Sequence, residues 1–264
     1  MRTSKTLARL RAGKVALGAN ISIGPSLITA GLAGKLGFDF AWLDMEHRWY
    51  NWHDAAIMIY GCREGGVDAI VRVPDTSPAT FHRCFELGAA GTMLPHCKSA
   101  ADAANAVRNS KFAPVGLRGI ENVLIDGEFG LVPLPEFMEK QTRESVVVVQ
   151  IEDREALDCI DQITGAAGVD ALFVGPGDLS QSLGRPGDMA NPDLVRAIEK
   201  VAKACQRDGK AWGLPTGPNP DNIKKYVDLG ARFIVPAVDY VAILTSWQKT
   251  IGDARDILAK KGLD

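Results

Sequence analysis

The chain has 264 residues, of which 46% are hydrophobic and 23% charged, with a net charge of −2. A chain this long can bury a core that needs no disulfide staples, and it suits one (β/α)₈ barrel better than one sandwich. The balance is slightly acidic and no basic stripe is visible, which argues against nucleic acid and leaves a small or anionic metabolite as the expected partner.

In chain order, the basic start MRTSKTLARLRAGK lacks a signal-peptide apolar stretch and reads as a short first helix. Short apolar runs then alternate with amphipathic ones. The strands are expected at Val15–Ile21, Phe38–Met45, Ala69–Val73, Gly91–Leu94, Val146–Ile151, Ala171–Val174, Lys210–Leu214 and Phe233–Ala237. Continuous Val, Ile and Phe runs are the mark of parallel strands covered on both faces. Helical patterns fill Ser26–Leu36, Asp54–Glu64, Pro78–Leu87, Ala100–Arg108, Arg154–Thr164, Pro192–Arg207, Asp221–Leu229 and Ala242–Lys260. Ser77, Asn191 and Asn219 each precede a proline at a helix start, and glycines 37, 65, 88 and 230 stand where left-handed caps are expected.

About eight strand–helix units in series predict a single TIM barrel over residues 1–264, with an extended C-terminal helix and no internal boundary. A doubly wound sheet is the rival, disfavoured by the missing GxGxxG after the first strand. The one long insertion, Phe112–Arg143, reads as an active-site loop with a short helix. No run approaches the roughly 18 apolar residues of a membrane span. The five cysteines are odd in number and include no CxxC pair, which is the pattern of reduced thiols in a cytoplasmic protein.

Barrel chemistry sits at the C-terminal ends of the strands. There the second strand delivers LDMEH, the third VRVP, the fifth VQIEDRE and the sixth FVGPGDLS. Glu152 and Asp178 end neighbouring strands, and two carboxylates with open positions suit a hard divalent ion; helix capping is the plainer alternative. Asp44, Glu46 and His47 cluster after an apolar strand, and an aspartate-held histidine is a natural proton shuttle. Arg72 lies inside an apolar strand and needs an anionic partner, either a substrate or Asp44. Gly175 and Gly177 permit close backbone approach to a carboxylate, or simply a turn. Lys98 reads as a surface lysine rather than a Schiff-base nucleophile, and His53, His82 and His96 receive no catalytic role. Trp49, Tyr50 and Trp52 either cover the mouth or build a subunit contact.

From GFDFAWLDMEH through VRVP, GAAGTMLPHCKSAADAANAV, GLRG and VQIEDREAL to GVDALFVGPGDLS, the chain resembles the HpcH/HpaI family of class II pyruvate aldolases. The resemblance implies a TIM barrel that reversibly cleaves a 4-hydroxy-2-oxo acid to a 2-oxo acid such as pyruvate and an aldehyde, with Mg²⁺, Mn²⁺ or Co²⁺. It implies Glu152 and Asp178 as metal ligands, Gln150 beside them, His47 supported by Asp44 for proton transfer, and Arg72 on the keto or enolate oxygen. It assigns the Gly175 and Gly177 amides to the carboxylate. It also implies a homo-oligomer, commonly a hexamer exchanging C-terminal helices. Glu86, LPTGP and the aromatic cluster depart from the family pattern and leave the aldehyde open. A 2-oxo acid decarboxylase or a citrate-lyase-like enzyme on the same frame is the alternative.

Overall fold

A computed structural model describes residues 2–263. Eight parallel strands form one sheet in the order β7-β6-β5-β4-β3-β2-β1-β8. They are β1 (Ala16–Ile21), β2 (Phe40–Asp44), β3 (Asp68–Arg72), β4 (Gly91–Leu94), β5 (Val146–Ile151), β6 (Ala171–Val174), β7 (Ala211–Gly213) and β8 (Phe233–Val238). The seam between β7 and β8 closes through the Pro215–Val235 bridge and the bonds Val235 N to Leu214 O and Thr216 N to Val235 O. The result is the expected TIM barrel.

Side chains alternate between two cores, as the two-residue strand period requires. Inside the barrel lie Ala16, Phe40, Trp42, Ile70, Met93, Val146, Val148, Ala171, Phe173 and Phe233. Phe40 and Phe233 stack at 4.1 Å, and Phe173 meets Phe233 edge-on. The opposite parity, including Leu43, Val71, Val149 and Leu172, packs beneath the surrounding helices. Leu7, on α1 (Lys5–Arg11), joins the interior cluster, so the first helix plugs the barrel's N-terminal end. The Asp68 carboxylate fixes it there by accepting from Ser4 Oγ and Thr6 N.

The outer helices are α2 (Leu27–Lys35), α3 (Trp52–Gly65), α4 (Pro78–Glu86), α5 (Ala100–Ser110), α6 (Leu134–Glu144), α7 (Arg154–Asp158), α8 (Ile160–Thr164), α9 (Pro176–Ser182), α10 (Pro192–Arg207), α11 (Pro220–Asp228) and α12 (Asp239–Lys260). The expected helix at Arg154–Thr164 is broken at Cys159. Helix α9 was not anticipated from the sequence. The left-handed cap of α3 is Gly66, one residue later than expected, and Gly65 instead lies against the Gly31 backbone of α2.

The long insertion is not an active-site loop. It follows a helix and precedes a strand, so it lies at the N-terminal end of the barrel. There Asp126 binds Arg63 of the last turn of α3 at 2.6 Å. The buried Arg118 guanidinium sits over both Phe85 and Phe112.

Candidate active site

Strand parity carries the interior layer upward to a polar rim. On β2 it runs Phe40, Trp42, Asp44; on β3, Ile70, Arg72; on β5, Val146, Val148, Gln150 and then Glu152. All four polar side chains, Asp44, Arg72, Gln150 and Glu152, are buried at the C-terminal mouth.

Arg72 and Asp44 pair directly across adjacent strands, being register partners. Nε donates to Oδ1 at 3.0 Å and Nη2 to Oδ2 at 2.6 Å, a two-point contact that only a planar guanidinium makes. The guanidinium also lies 4.9 Å from the Trp42 ring centroid. Asp44 Oδ1 further accepts from the amides of Glu46 and His47. Burial pushes the Asp44 carboxyl up, but Arg72 and these amides outweigh it and hold it below the usual carboxylate range. Asp44 therefore touches the His47 backbone, whereas the expected contact with the imidazole is absent. That ring is half exposed, and its Nε2 faces Glu46 Oε2 at 3.8 Å.

Glu152 is 1% exposed. Its Oε1 accepts from the His96 amide at 2.8 Å, and its Oε2 accepts from Gln150 Nε2. Burial pushes its carboxyl up to about 7, against the opposing pull of His96. The other amide atom of Gln150, Oε1, is buried without a hydrogen-bond partner.

The amide of Gly175, directly after β6, donates to Ile151 O within the sheet and is thereby removed from the expected carboxylate cradle. What Gly175 supplies is space, because a Cβ there would overlap Glu152 Oε2 and lie 2.7 Å from Gln150 Nε2. Gly177 and Asp178 occupy the first turn of α9, after Pro176. Their amides have no carbonyl within the helix to bond, as at any helix start. Asp178 thus comes from a helix rather than a strand end. Among the described residues its half-buried carboxylate makes no hydrogen bond or ion pair.

Two residues given little weight from the sequence prove central. His96 adopts φ +49°, a left-handed conformation that costs a non-glycine residue roughly 1–2 kcal/mol. This turn directs its amide at Glu152 and its ring between carboxylates: Nδ1 is 2.8 Å from Asp153 Oδ2, and Nε2 is 3.3 Å from Glu46 Oε1. Burial opposes protonation, but Asp153, Glu152 and Glu46 together hold the imidazole above its ordinary range. Glu46 also lies 3.1 Å from Arg72 Nη1. Lys98 pairs with Asp153 at 3.3 Å and stays half exposed, in keeping with a surface lysine.

The family model of HpcH/HpaI aldolase/citrate lyase matches residues 25–245, which include every one of these rim residues. The chain belongs to the HpcH/HpaI family. Its carbon–carbon lyase chemistry is that of an aldolase. A 5-keto-4-deoxy-D-glucarate aldolase of Salmonella paratyphi C is 29% identical over 93% of this chain and 94% of its own length. The HpcH/HpaI aldolase of Desulfitobacterium hafniense DCB-2 superposes with a TM-score of 0.89 at 28% identity, covering 94% of this chain and 96% of the other. A family protein of Burkholderia cenocepacia J2315 gives a TM-score of 0.89 at 30% identity, over 96% and 100% of the two chains.

Proposed function

We propose that this HpcH/HpaI protein is a divalent-metal-dependent aldolase that cleaves a 4-hydroxy-2-oxo acid to a 2-oxo acid of the pyruvate type and an aldehyde, and joins them in reverse. The observation that carries the reading is Glu152: a carboxylate buried at the barrel mouth, raised by burial and lying against the start of α9. The residues fit a hard cation. Glu152 offers an oxygen whose charge burial leaves poorly compensated, Gln150 Oε1 is an unpartnered oxygen beside it, and Asp178 has no competing ion pair. Glu152 and Asp178 would hold Mg²⁺, Mn²⁺ or Co²⁺, which supplies Lewis-acid polarisation of the keto group.

The chain's own residues do the rest. The free amides of Gly177 and Asp178, at the positive end of α9, bind the carboxylate of the 2-oxo acid. Arg72, fixed by Asp44, places a permanent positive charge beside the keto oxygen and stabilises the enolate as it forms. Gln150 holds Glu152 and borders the keto group. His47 takes the proton from the C4 hydroxyl; the C3–C4 bond then breaks, the aldehyde leaves, and C3 is protonated.

The test is pyruvate release from a panel of 4-hydroxy-2-oxo acids before and after EDTA. Release should vanish with EDTA and return with Mg²⁺, Mn²⁺ or Co²⁺, and Glu152→Gln should lose at least about 10²-fold in kcat/KM, as loss of a key electrostatic group does. EDTA-resistant release would overturn the metal assignment. Carbon dioxide or an acyl thioester product would replace the aldolase by a decarboxylase or a citrate-lyase-like enzyme.

We also infer that the chain self-associates. Helix α12 buries none of its 22 residues, and Leu244, Trp247, Ile251 and Ile257 on it are exposed. Leu27, Ile28 and Leu32 of α2 add a second exposed apolar patch. Apolar surface of this extent marks a protein contact.

A further inference from the structure

We propose that Asn20 selects the aldehyde half of the substrate by accepting a hydrogen bond from a hydroxyl on C5, the carbon next to the aldehyde that is released. The inference rests on the aldolase reading and adds to it the group that the aldehyde carries.

Asn20 is the penultimate residue of β1. It shares the parity of Ala16 and Gly18, which face the barrel interior: Ala16 belongs to the inner cluster, and a Cβ on Gly18 would run into the Phe40 ring. Asn20 therefore points inward near the C-terminal end of its strand, as Asp44, Arg72 and Gln150 do on theirs. It is 5% exposed. Across the barrel, the inward positions of β6, β7 and β8 carry Phe173, Gly213 and Val235, none of which offers a side-chain hydrogen bond.

Burying a primary amide is costly unless it is hydrogen-bonded, and Asn20 uses little of its capacity. Of two donors and two lone pairs, the protein engages one donor, Nδ2, which reaches Trp42 O at 3.4 Å. That carbonyl sets the amide's orientation, with the nitrogen towards β2 and Oδ1 left for the mouth. Among the described residues Oδ1 accepts no hydrogen bond. A free acceptor calls for a donor. A hydroxyl satisfies it, whereas a carboxylate or an alkyl group does not.

The place of Asn20 in the sheet says which hydroxyl. In the proposed reaction the keto oxygen lies at Arg72 on β3, and the C4 hydroxyl lies at His47, which follows β2. The substrate thus runs across β3 and β2 towards β1, where Asn20 is the register partner of Trp42. Adjacent strands are about 4.8 Å apart, a step that one further carbon, its hydroxyl and a hydrogen bond of about 2.8 Å span. A site built to bond a hydroxyl is left with an unpaired polar group when the hydroxyl is missing, and this penalises the deoxy analogue.

Glycolaldehyde and acetaldehyde differ only in that hydroxyl, so their condensation with pyruvate is the test. The wild-type protein should favour glycolaldehyde by at least about 10-fold in kcat/KM, and Asn20→Leu, similar in shape but without hydrogen-bonding atoms, should abolish the preference. Equal values in the wild type, or a preference that survives in Asn20→Leu, would overturn the proposal. If circular dichroism shows that Asn20→Leu does not fold, a crystal of the wild-type protein with 4,5-dihydroxy-2-oxopentanoate decides instead. The C5 hydroxyl should lie within about 3.2 Å of Asn20 Oδ1, and a C5 hydroxyl bonded elsewhere would overturn the assignment. Condensation with no aldehyde at all would remove the aldolase reading and this inference together, whereas condensation without discrimination would remove this inference alone.

Discussion

Arg72 and Asp44 combine two roles that pull in different directions. The pair is buried, so desolvation cancels much of its mutual attraction, yet removing either partner strands a charge in the barrel. Arg72→Met should therefore destabilise the protein by about 3–5 kcal/mol at neutral pH, measured as a fall in the denaturant midpoint. The pH dependence follows from Asp44, whose carboxyl sits below its usual range in the folded protein. A group lowered on folding contributes stability that is fully present above its unfolded value, near pH 4, and is lost as pH falls through the folded value. In Arg72→Met the unpartnered carboxyl titrates higher, so the gap between wild type and variant should be widest at neutral pH and should narrow towards pH 3. A gap independent of pH would mean that the Asp44 charge is not what Arg72 stabilises.

At the scale of elements, the sheet positions the site by parity, and a single methyl group is enough to test this. Gly175 follows β6 and lies against the Glu152 carboxylate, where no Cβ fits. Gly175→Ala should push Glu152 aside and lower both Mn²⁺ affinity, read by electron paramagnetic resonance, and activity. A displacement near 1 Å costs up to about 10²-fold in rate, while the melting temperature should move little because the barrel core is untouched. Unchanged Mn²⁺ binding would contradict Glu152 as a ligand. The same parity explains what the sequence disclosed. Strands covered on both faces read as unbroken apolar runs, so Asp44, Arg72, Gln150 and Glu152 stood out as polar residues at their ends. Helix α9 was hidden because GPGDLS has the composition of a turn. The placement of Glu46 and His96 was hidden for another reason: a left-handed residue after β4 brings one ring between carboxylates that follow β2 and β5, and no local spacing encodes a contact across three strands.

For the whole molecule, the distribution of apolar surface is lopsided. The barrel interior and the layer beneath its helices are closed, whereas α12 leaves the fold after β8 with its apolar side chains in water. Specific interfaces remove roughly 1,200–2,000 Å² from solvent, and a 22-residue helix, about 33 Å long at 1.5 Å per residue, spans a surface of that order. Aromatic anchors dominate such contacts, which singles out Trp247. The wild-type protein should sediment as an oligomer at micromolar concentration, and Trp247→Glu/Ile251→Glu should shift it to a smaller species with unaltered circular dichroism. The rim residues Asp44, Arg72, Gln150 and Glu152 come from one chain, so the smaller species should still bind Mn²⁺. Its loss together with the oligomer would show that assembly, and not the barrel alone, completes the ion site. A wild-type monomer would mean that some other chain, or none, covers α12.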